Sequence, residues 1–176
     1  MARDQLEHVI RAAAVLAEDD EIVVIDSQAI LGQYPDAPDE LLVSIEADVY
    51  PRHHVDRADL IDGSIGEGSP FHDTFGYYAH GVGPETAVLP RGWQQRLVPV
   101  YGDNTRGATG LCLEAHDLVL SKYAAGREKD RLFTRAAAKH GLVRREILIS
   151  RLATLPGSDV QREVIAAAIA RDFSSR

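Results

Sequence analysis

Two carboxylates stand two residues apart in residues 42–49, a segment in which apolar and polar residues alternate. Alternation with a period of two predicts a β-strand whose successive side chains point to opposite faces. Glu46 and Asp48 would then share one face, about 7 Å apart along the strand. Paired carboxylates are the oxygen ligands that Mg²⁺ prefers, commonly together with substrate phosphates. The segment therefore predicts a divalent metal site, and the alternative is the solvated polar face of an amphipathic strand.

Basic residues cluster in the second half of the chain, from Lys122 to Asp130. Gly126 ends or bends a predicted helix just before Arg127 and Lys129. Arginine can bind a phosphate through two parallel hydrogen bonds, and lysine acts as a point charge. The cluster can therefore hold a phosphate, or it can form ion pairs with neighbouring carboxylates that fix two helices together.

The elements that must position these groups begin near the N-terminus. Helical spacing of apolar residues predicts a helix over residues 5–16, and a β-branched run predicts a strand over 21–25. Asp26 and Ser27 then mark a tight turn into a helix over 28–33. The acidic strand follows, so the expected order is strand, turn, helix and strand.

Further strands are predicted over 75–82, 86–89 and 97–101, and a polar loop over 102–110. Four helices are predicted over 114–125, 129–140, 144–152 and 159–173. We therefore expect an α/β (α+β) fold, in which a mixed β-sheet is flanked by helices and followed by a C-terminal helical bundle. Residues 1–112 would supply the sheet, and residues 113–176 would pack on it as part of the same domain.

Charge is divided unevenly along the 176 residues, although the net charge is only −8. The first 88 residues carry a net charge of −14, and the last 88 carry +6. An acidic half that can hold a divalent metal, beside a basic half that can hold phosphate, suits a nucleotide ligand. The alternative is that the two sets of charges solvate opposite faces of the protein.

Several protein classes are disfavoured by the sequence. The N-terminal region is acidic and lacks the cationic start and apolar core of a secretory leader, and no stretch approaches the ~20 apolar residues of a membrane span. Cys112 is the single cysteine and cannot form an internal disulfide. We therefore expect a cytoplasmic protein that makes no membrane contact.

Histidines and other motifs give weaker signals. His53 and His54 are adjacent, so their side chains are expected to point apart, and no zinc-ligand spacing accompanies them. Cys112 lies between two leucines, which favours burial over a nucleophilic role. The sequence contains neither a P-loop nor a G-x-S-x-G motif.

The order of strand, Asp26-Ser27 turn, helix and acidic strand resembles the nucleotidyltransferase superfold. In that superfold a Gly-Ser at the first strand-to-helix turn contacts nucleotide phosphate, and an Asp-x-Asp on the next strand binds Mg²⁺. Residues 113–130 also look like the K-x-x-A-x-R-x-K-D block of the AbiEii-like toxins and related bacterial proteins. The similarity spans residues 21–143.

The resemblance implies catalytic roles for Glu46, Asp48 and Lys122, with Mg²⁺ held by the two carboxylates. It implies nucleotide contacts at a second, overlapping set of residues: Ser27, Lys122, Arg127, Lys129 and Asp130. The implied activity is transfer of a nucleotidyl group from a Mg²⁺-bound nucleoside triphosphate to an RNA or protein acceptor, tRNA in some family members. A toxin of this kind acts in toxin-antitoxin or phage-defence systems and has an antitoxin protein as partner.

The sequence departs from this pattern at three points. Asp26 replaces the glycine of the turn, and Glu46 replaces the first aspartate of the acidic pair. A third carboxylate, expected on a later strand, is absent from residues 75–82 and 97–101. These departures favour an alternative function, in which the chain is a catalytically inactive binding or regulatory module that keeps the fold.

Overall fold

A computed structural model gives the structure of this chain and describes residues 1–174. The strands are Glu21–Val24 (β1), Glu46–Pro51 (β2), Tyr78–Gly81 (β3), Val98–Val100 (β4) and Thr109–Cys112 (β5). They form one mixed sheet in the spatial order β3-β2-β1-β5-β4. Strand β1 runs antiparallel to β2 and parallel to β5, whereas β3 is parallel to β2 and β4 is antiparallel to β5. The predicted mixed sheet is confirmed, and the acidic strand β2 lies directly beside the central strand β1.

The helices are Arg3–Ala17 (α1), Ile30–Gln33 (α2), Ala58–Ile65 (α3), Pro70–Phe75 (α4), Ala115–Ala125 (α5), Glu128–Lys139 (α6), Arg145–Leu152 (α7) and Asp159–Ser174 (α8). Helix α5 packs against α6, α7 and α8, so the predicted C-terminal helices pack together. Within residues 1–174, no helix combines the length and the apolar character needed to cross a membrane.

One face of the sheet is apolar and covered by the first three helices. Val24, Val49 and Cys112 lie side by side in the strand register and are completely buried on this face. Helix α1 approaches the same face so closely that a Cβ at Gly110 would lie 2.3 Å from the Cδ1 of Ile10. A side chain at this point of β5 would therefore require the Ile10 side chain to move.

The predicted strand over residues 42–49 begins only at residue 46, so its first half is a correction to the sequence analysis. The carbonyls of Leu42 and Ser44 accept hydrogen bonds from the Met1 amine, at 3.0 and 2.9 Å. The side-chain amide of Gln28 also donates to the Ser44 carbonyl, at 2.8 Å. These hydrogen bonds replace strand pairing at residues 42–44. Val43 therefore lies outside the sheet, and its side chain is 82% exposed.

Other predicted boundaries also change. Residues 86–89 were expected to form a strand and do not, since a 3-10 turn at Pro84–Thr86 precedes a segment that pairs with no strand. The expected strand over 75–82 is shorter, because Phe75 ends α4. Residues 109 and 110 were assigned to a loop but begin β5, and helices α3 and α4 were not predicted.

An ion-pair network fixes helix α5, which carries Lys122, to α7. Arg151 contacts both Glu114 and Asp117, the latter at 2.9 Å, and the Nδ1 of His116 lies 2.6 Å from Glu114. Burial acts to raise the pKa of Glu114, but hydrogen bonds with His116 and Arg151 outweigh it and lower that pKa to about 2. The carboxylate is therefore held ionised, and the start of α5 is firmly anchored.

Candidate functional site

Three potential metal ligands converge on the polar face of the sheet. Glu46 and Asp48 lie on the same face of β2, as predicted, and the parallel register places His80 of β3 opposite Asp48. The Nδ1 of His80 lies 3.1 Å from Oε1 of Glu46 and 3.6 Å from Oδ1 of Asp48. One donor atom from each residue fits within 4.8 Å of the others. Two carboxylates and an imidazole could therefore bind a single divalent cation.

Asp48 carries a charge that its surroundings do not compensate. Its side chain is 16% exposed, and within residues 1–174 its Oδ1 atom is buried without a hydrogen-bond partner. Burial, followed by the charges of Asp26 and Glu46, raises the pKa of Asp48 to about 7. A bound cation would neutralise this carboxylate and occupy its free oxygen, so the donor set fits a metal.

Two further side chains orient the ligands. The phenol of Tyr78 donates to Oε2 of Glu46 at 3.4 Å, and burial with the Glu46 charge raises the pKa of Tyr78 to about 12, so that the phenol remains a donor. On the far side of the imidazole, Nε2 of His80 lies 3.8 Å from Oδ1 of Asp62 in α3. Metal-binding histidines commonly have such a carboxylate beside their second ring nitrogen.

The cationic side of the site is an ion-pair network around Lys122. This amine is buried, forms an ion pair with Asp26 at the end of β1, and lies 3.4 Å from Oδ1 of Asp130. The Nε of Arg127 donates to Oδ2 of Asp130 at 2.6 Å. Burial acts to raise the pKa of Asp130, but the hydrogen bond from Arg127 and the charge of Lys122 keep it below its ordinary value.

Of the three potential metal ligands, Asp48 lines a cavity of about 320 Å³ that the cationic groups also line, whereas Glu46 and His80 lie outside its wall. Asp26 and Asp48 line it together with Lys122 and Arg127, and residues 86–88 form part of the wall. The Arg127 side chain is 56% exposed, so its guanidinium is accessible from solvent. The cavity therefore offers carboxylate oxygens and phosphate-binding cations to one ligand.

The predicted site residues are only partly brought together. Lys122 and Arg127 line the cavity with Asp48, although Lys122 lies on α5 and Arg127 in the turn before α6, both far from β2 in the sequence. Ser27 is half-buried beside Asp26 at the start of a 3-10 turn, and Lys129 is exposed and does not line the cavity. The Asp130 side chain is completely buried and contacts the two cations instead of the cavity.

His80, Asp62 and Tyr78 were missed by the sequence analysis. A signal for His80 was present, because Tyr78-Ala79-His80 repeats the polar-apolar-polar pattern of Glu46-Ala47-Asp48. The family pattern predicts a carboxylate as the third ligand, whereas the strand carries a histidine at this position.

A second acidic cluster has a structural explanation. Asp19 accepts hydrogen bonds from the backbone amides of Glu21, His53 and His54, and its Oδ1 lies 3.0 Å from the His53 ring. Although Asp20 and His53 lie within ligand distance of it, both Asp19 oxygens are already occupied. A larger cavity of about 960 Å³ borders this cluster, and its wall includes Asp19 and Asp20 together with two arginines, Arg11 and Arg106.

Comparison with models of known protein families, with curated proteins and with solved structures found no match for this chain. Its functional interpretation therefore depends on its own residues, their distances and their charges.

Proposed function

We propose that this chain is a metal-dependent nucleotidyltransferase, which transfers a nucleotidyl group from a nucleoside triphosphate to an RNA or protein acceptor. The observation that carries the proposal is the cavity in which Asp48 and Asp26 face Lys122 and Arg127. A triphosphate with its divalent cation needs both carboxylate ligands for the metal and cations for the phosphates. The strand-turn-helix-strand order and the Lys122 to Asp130 block support the same proposal.

Glu46, Asp48 and His80 would hold the divalent cation, for which the family resemblance implies Mg²⁺. When bound, the cation would offset the charge of the triphosphate and polarise its phosphorus centre. Arg127 would contact the phosphates through its exposed guanidinium. The buried amine of Lys122 would add positive charge at the wall of the cavity. The acceptor hydroxyl would attack the α-phosphorus as the bond to the bridging oxygen breaks, so that pyrophosphate leaves and the hydroxyl proton passes to solvent.

The resemblance also extends the proposal to the biological role. A toxin-like enzyme acting in the cytoplasm, with tRNA as one possible acceptor and an antitoxin protein as its partner, would fit this chemistry. The acidic N-terminal half and basic C-terminal half provide the charge separation that such a nucleotide site needs.

Isothermal titration of ATP, GTP, CTP and UTP, each with Mg²⁺ or Co²⁺, tests nucleotide binding by the whole chain. We expect at least one metal-dependent interaction, weakened roughly tenfold or more by Arg127→Met because a charge-assisted phosphate contact is lost. Lys129→Met is the matched control, since it removes the same charge two residues away and outside the cavity. Release of pyrophosphate in the presence of RNA or protein acceptors then tests transfer itself.

A second candidate function, a binding module without catalysis, is favoured by one observation. The Lys122 amine is already paired with Asp26 and Asp130 and is only 3% exposed, so its charge is largely neutralised within the protein. If wild-type protein shows no metal-dependent nucleotide binding, the module is the better description. Equal weakening by Arg127→Met and Lys129→Met would likewise contradict a specific phosphate contact.

A further inference from the structure

The third ligand of the candidate metal site is a nitrogen atom. Mg²⁺ is a hard cation that binds oxygen ligands, whereas imidazole favours first-row transition metals such as iron, cobalt and zinc. His80 presents Nδ1 to both Glu46 and Asp48, at 3.1 and 3.6 Å. The donor set is therefore two carboxylates and one imidazole, and it differs from the all-oxygen set that suits Mg²⁺.

The imidazole is oriented by a carboxylate on its other side. Asp62 of α3 lies 3.8 Å from Nε2, so that one ring nitrogen faces the two ligands and the other faces an acceptor. A metal bound through Nδ1 would leave the ring proton on Nε2, on the side of Asp62. A carboxylate in this position is a common partner of the second ring nitrogen in metal-binding histidines.

The backbone of β3 allows Asp62 to reach this position. Helix α3 approaches β3 so closely that a Cβ at Gly81 would lie 2.0 Å from the carbonyl oxygen of Ala58 and 3.1 Å from the backbone nitrogen of Asp62. Only glycine permits this contact without a backbone shift. The residue that follows His80 therefore sets the distance between the imidazole and its carboxylate partner.

The oxygen ligands also converge on the imidazole. Oδ1 of Asp48 is buried without a hydrogen-bond partner in residues 1–174, and it is the Asp48 oxygen nearest to His80. Tyr78 donates to Oε2 of Glu46, which leaves Oε1 directed at the imidazole. One donor atom from each of the three residues thus lies within 4.8 Å of the other two.

We infer that the site formed by Glu46, Asp48 and His80 selects a first-row transition metal over Mg²⁺, with His80 as the residue that sets this preference. The inference rests on the proposed function only in taking this site as the metal centre of the enzyme. It goes further in naming the class of metal and the residue that determines it.

Calorimetric titration of Co²⁺ and of Mg²⁺ into the metal-free chain tests the preference, and the visible absorption of bound Co²⁺ reports its ligands. We expect wild-type protein to bind Co²⁺ more tightly than Mg²⁺. His80→Asp should lower the ratio of Co²⁺ to Mg²⁺ affinity roughly tenfold or more, because it replaces the nitrogen ligand by a carboxylate and so makes all three ligands oxygen atoms. His80→Asn, which removes the ligand without adding charge, should weaken Co²⁺ binding and change its spectrum.

His53→Asn is the matched control, since it alters the other cluster of carboxylates and histidine, at Asp19 and Asp20. It should leave the affinity ratio and the Co²⁺ spectrum unchanged. The inference is overturned if wild-type protein binds neither metal, if His80→Asp leaves the ratio unchanged, or if His53→Asn abolishes Co²⁺ binding instead.

Nucleotide titrations separate this inference from the proposed function. One outcome is that wild-type protein and His80→Asp each bind nucleoside triphosphate with the same affinity in Mg²⁺ as in Co²⁺. In that case the proposed function stands and the metal preference is wrong. If Co²⁺ binds in a His80-dependent manner while no nucleotide binds, the metal preference stands and the nucleotidyltransferase proposal is wrong.

Discussion

Replacement of Asp48 by asparagine removes a largely buried negative charge whose Oδ1 atom accepts no hydrogen bond within residues 1–174. Burial and the charges of Asp26 and Glu46 raise the pKa of Asp48 from 3.8 to about 7. At about 1.4 kcal/mol for each pKa unit, ionisation of this group in the folded protein costs up to about 4 kcal/mol. The pKa of Asp48 is higher in the folded than in the unfolded state. The contribution of this carboxyl group to the free energy of unfolding is therefore fully present below pH 3.8 and is lost as the pH rises through about 7.

Urea unfolding of metal-free wild-type and Asp48→Asn protein at pH 5 and pH 8 measures this effect. At pH 8 the variant should be the more stable protein, by up to about 4 kcal/mol. At pH 5 wild-type Asp48 is largely protonated when folded, so the advantage of the variant should shrink by about 2 to 3 kcal/mol. Added Co²⁺ or Mg²⁺ should stabilise the wild type at pH 8 and have little effect on the variant.

Asp59→Asn is the control, because it removes an exposed carboxylate from the first turn of α3. Its stability relative to wild type should not change between pH 5 and pH 8. The reasoning is refuted if Asp48→Asn is less stable than wild type at both pH values, since Asp48 would then have a cationic partner in the folded protein. A pH-independent gain in stability would also contradict it.

Three other substitutions test the elements that hold the site. Glu114→Gln should reduce the free energy of unfolding by about 3 kcal/mol at neutral pH, and urea unfolding should show the loss disappearing as the pH falls from 4.5 toward about 2, because the folded-state pKa is the lower one. Gly81→Ala should lower the melting temperature through a cost of about 1–3 kcal/mol, since its Cβ overlaps the Ala58 carbonyl, and an unchanged melting temperature would contradict this contact. Lys122→Met should cost about 3–5 kcal/mol in urea unfolding by leaving buried Asp130 with less compensating charge, and a neutral result would show that the ion pair is dispensable.

Local patterns in the sequence predicted the part of β2 that carries Glu46 and Asp48 and the helix α5 that carries Lys122. Alternation at Glu46, Ala47 and Asp48 predicts two carboxylates on one face, because side-chain direction in a strand depends only on neighbouring residues. The helix end at Gly126 could be predicted for the same reason, since a glycine at that point adopts the left-handed conformation that ends α5. The division into an acidic first half and a basic second half of the chain also required only the sequence.

Only the tertiary structure decided which distant groups became neighbours. His80 joins Glu46 and Asp48 because β3 pairs with β2 in a particular parallel register, and local residue pattern does not specify that register. Lys122 pairs with Asp26 across 96 positions of sequence, and that contact depends on the packing of α5 near the end of β1. Each contact is decided by the free energy of the whole fold, in which burial of the common core outweighs the preference of any single polar pair.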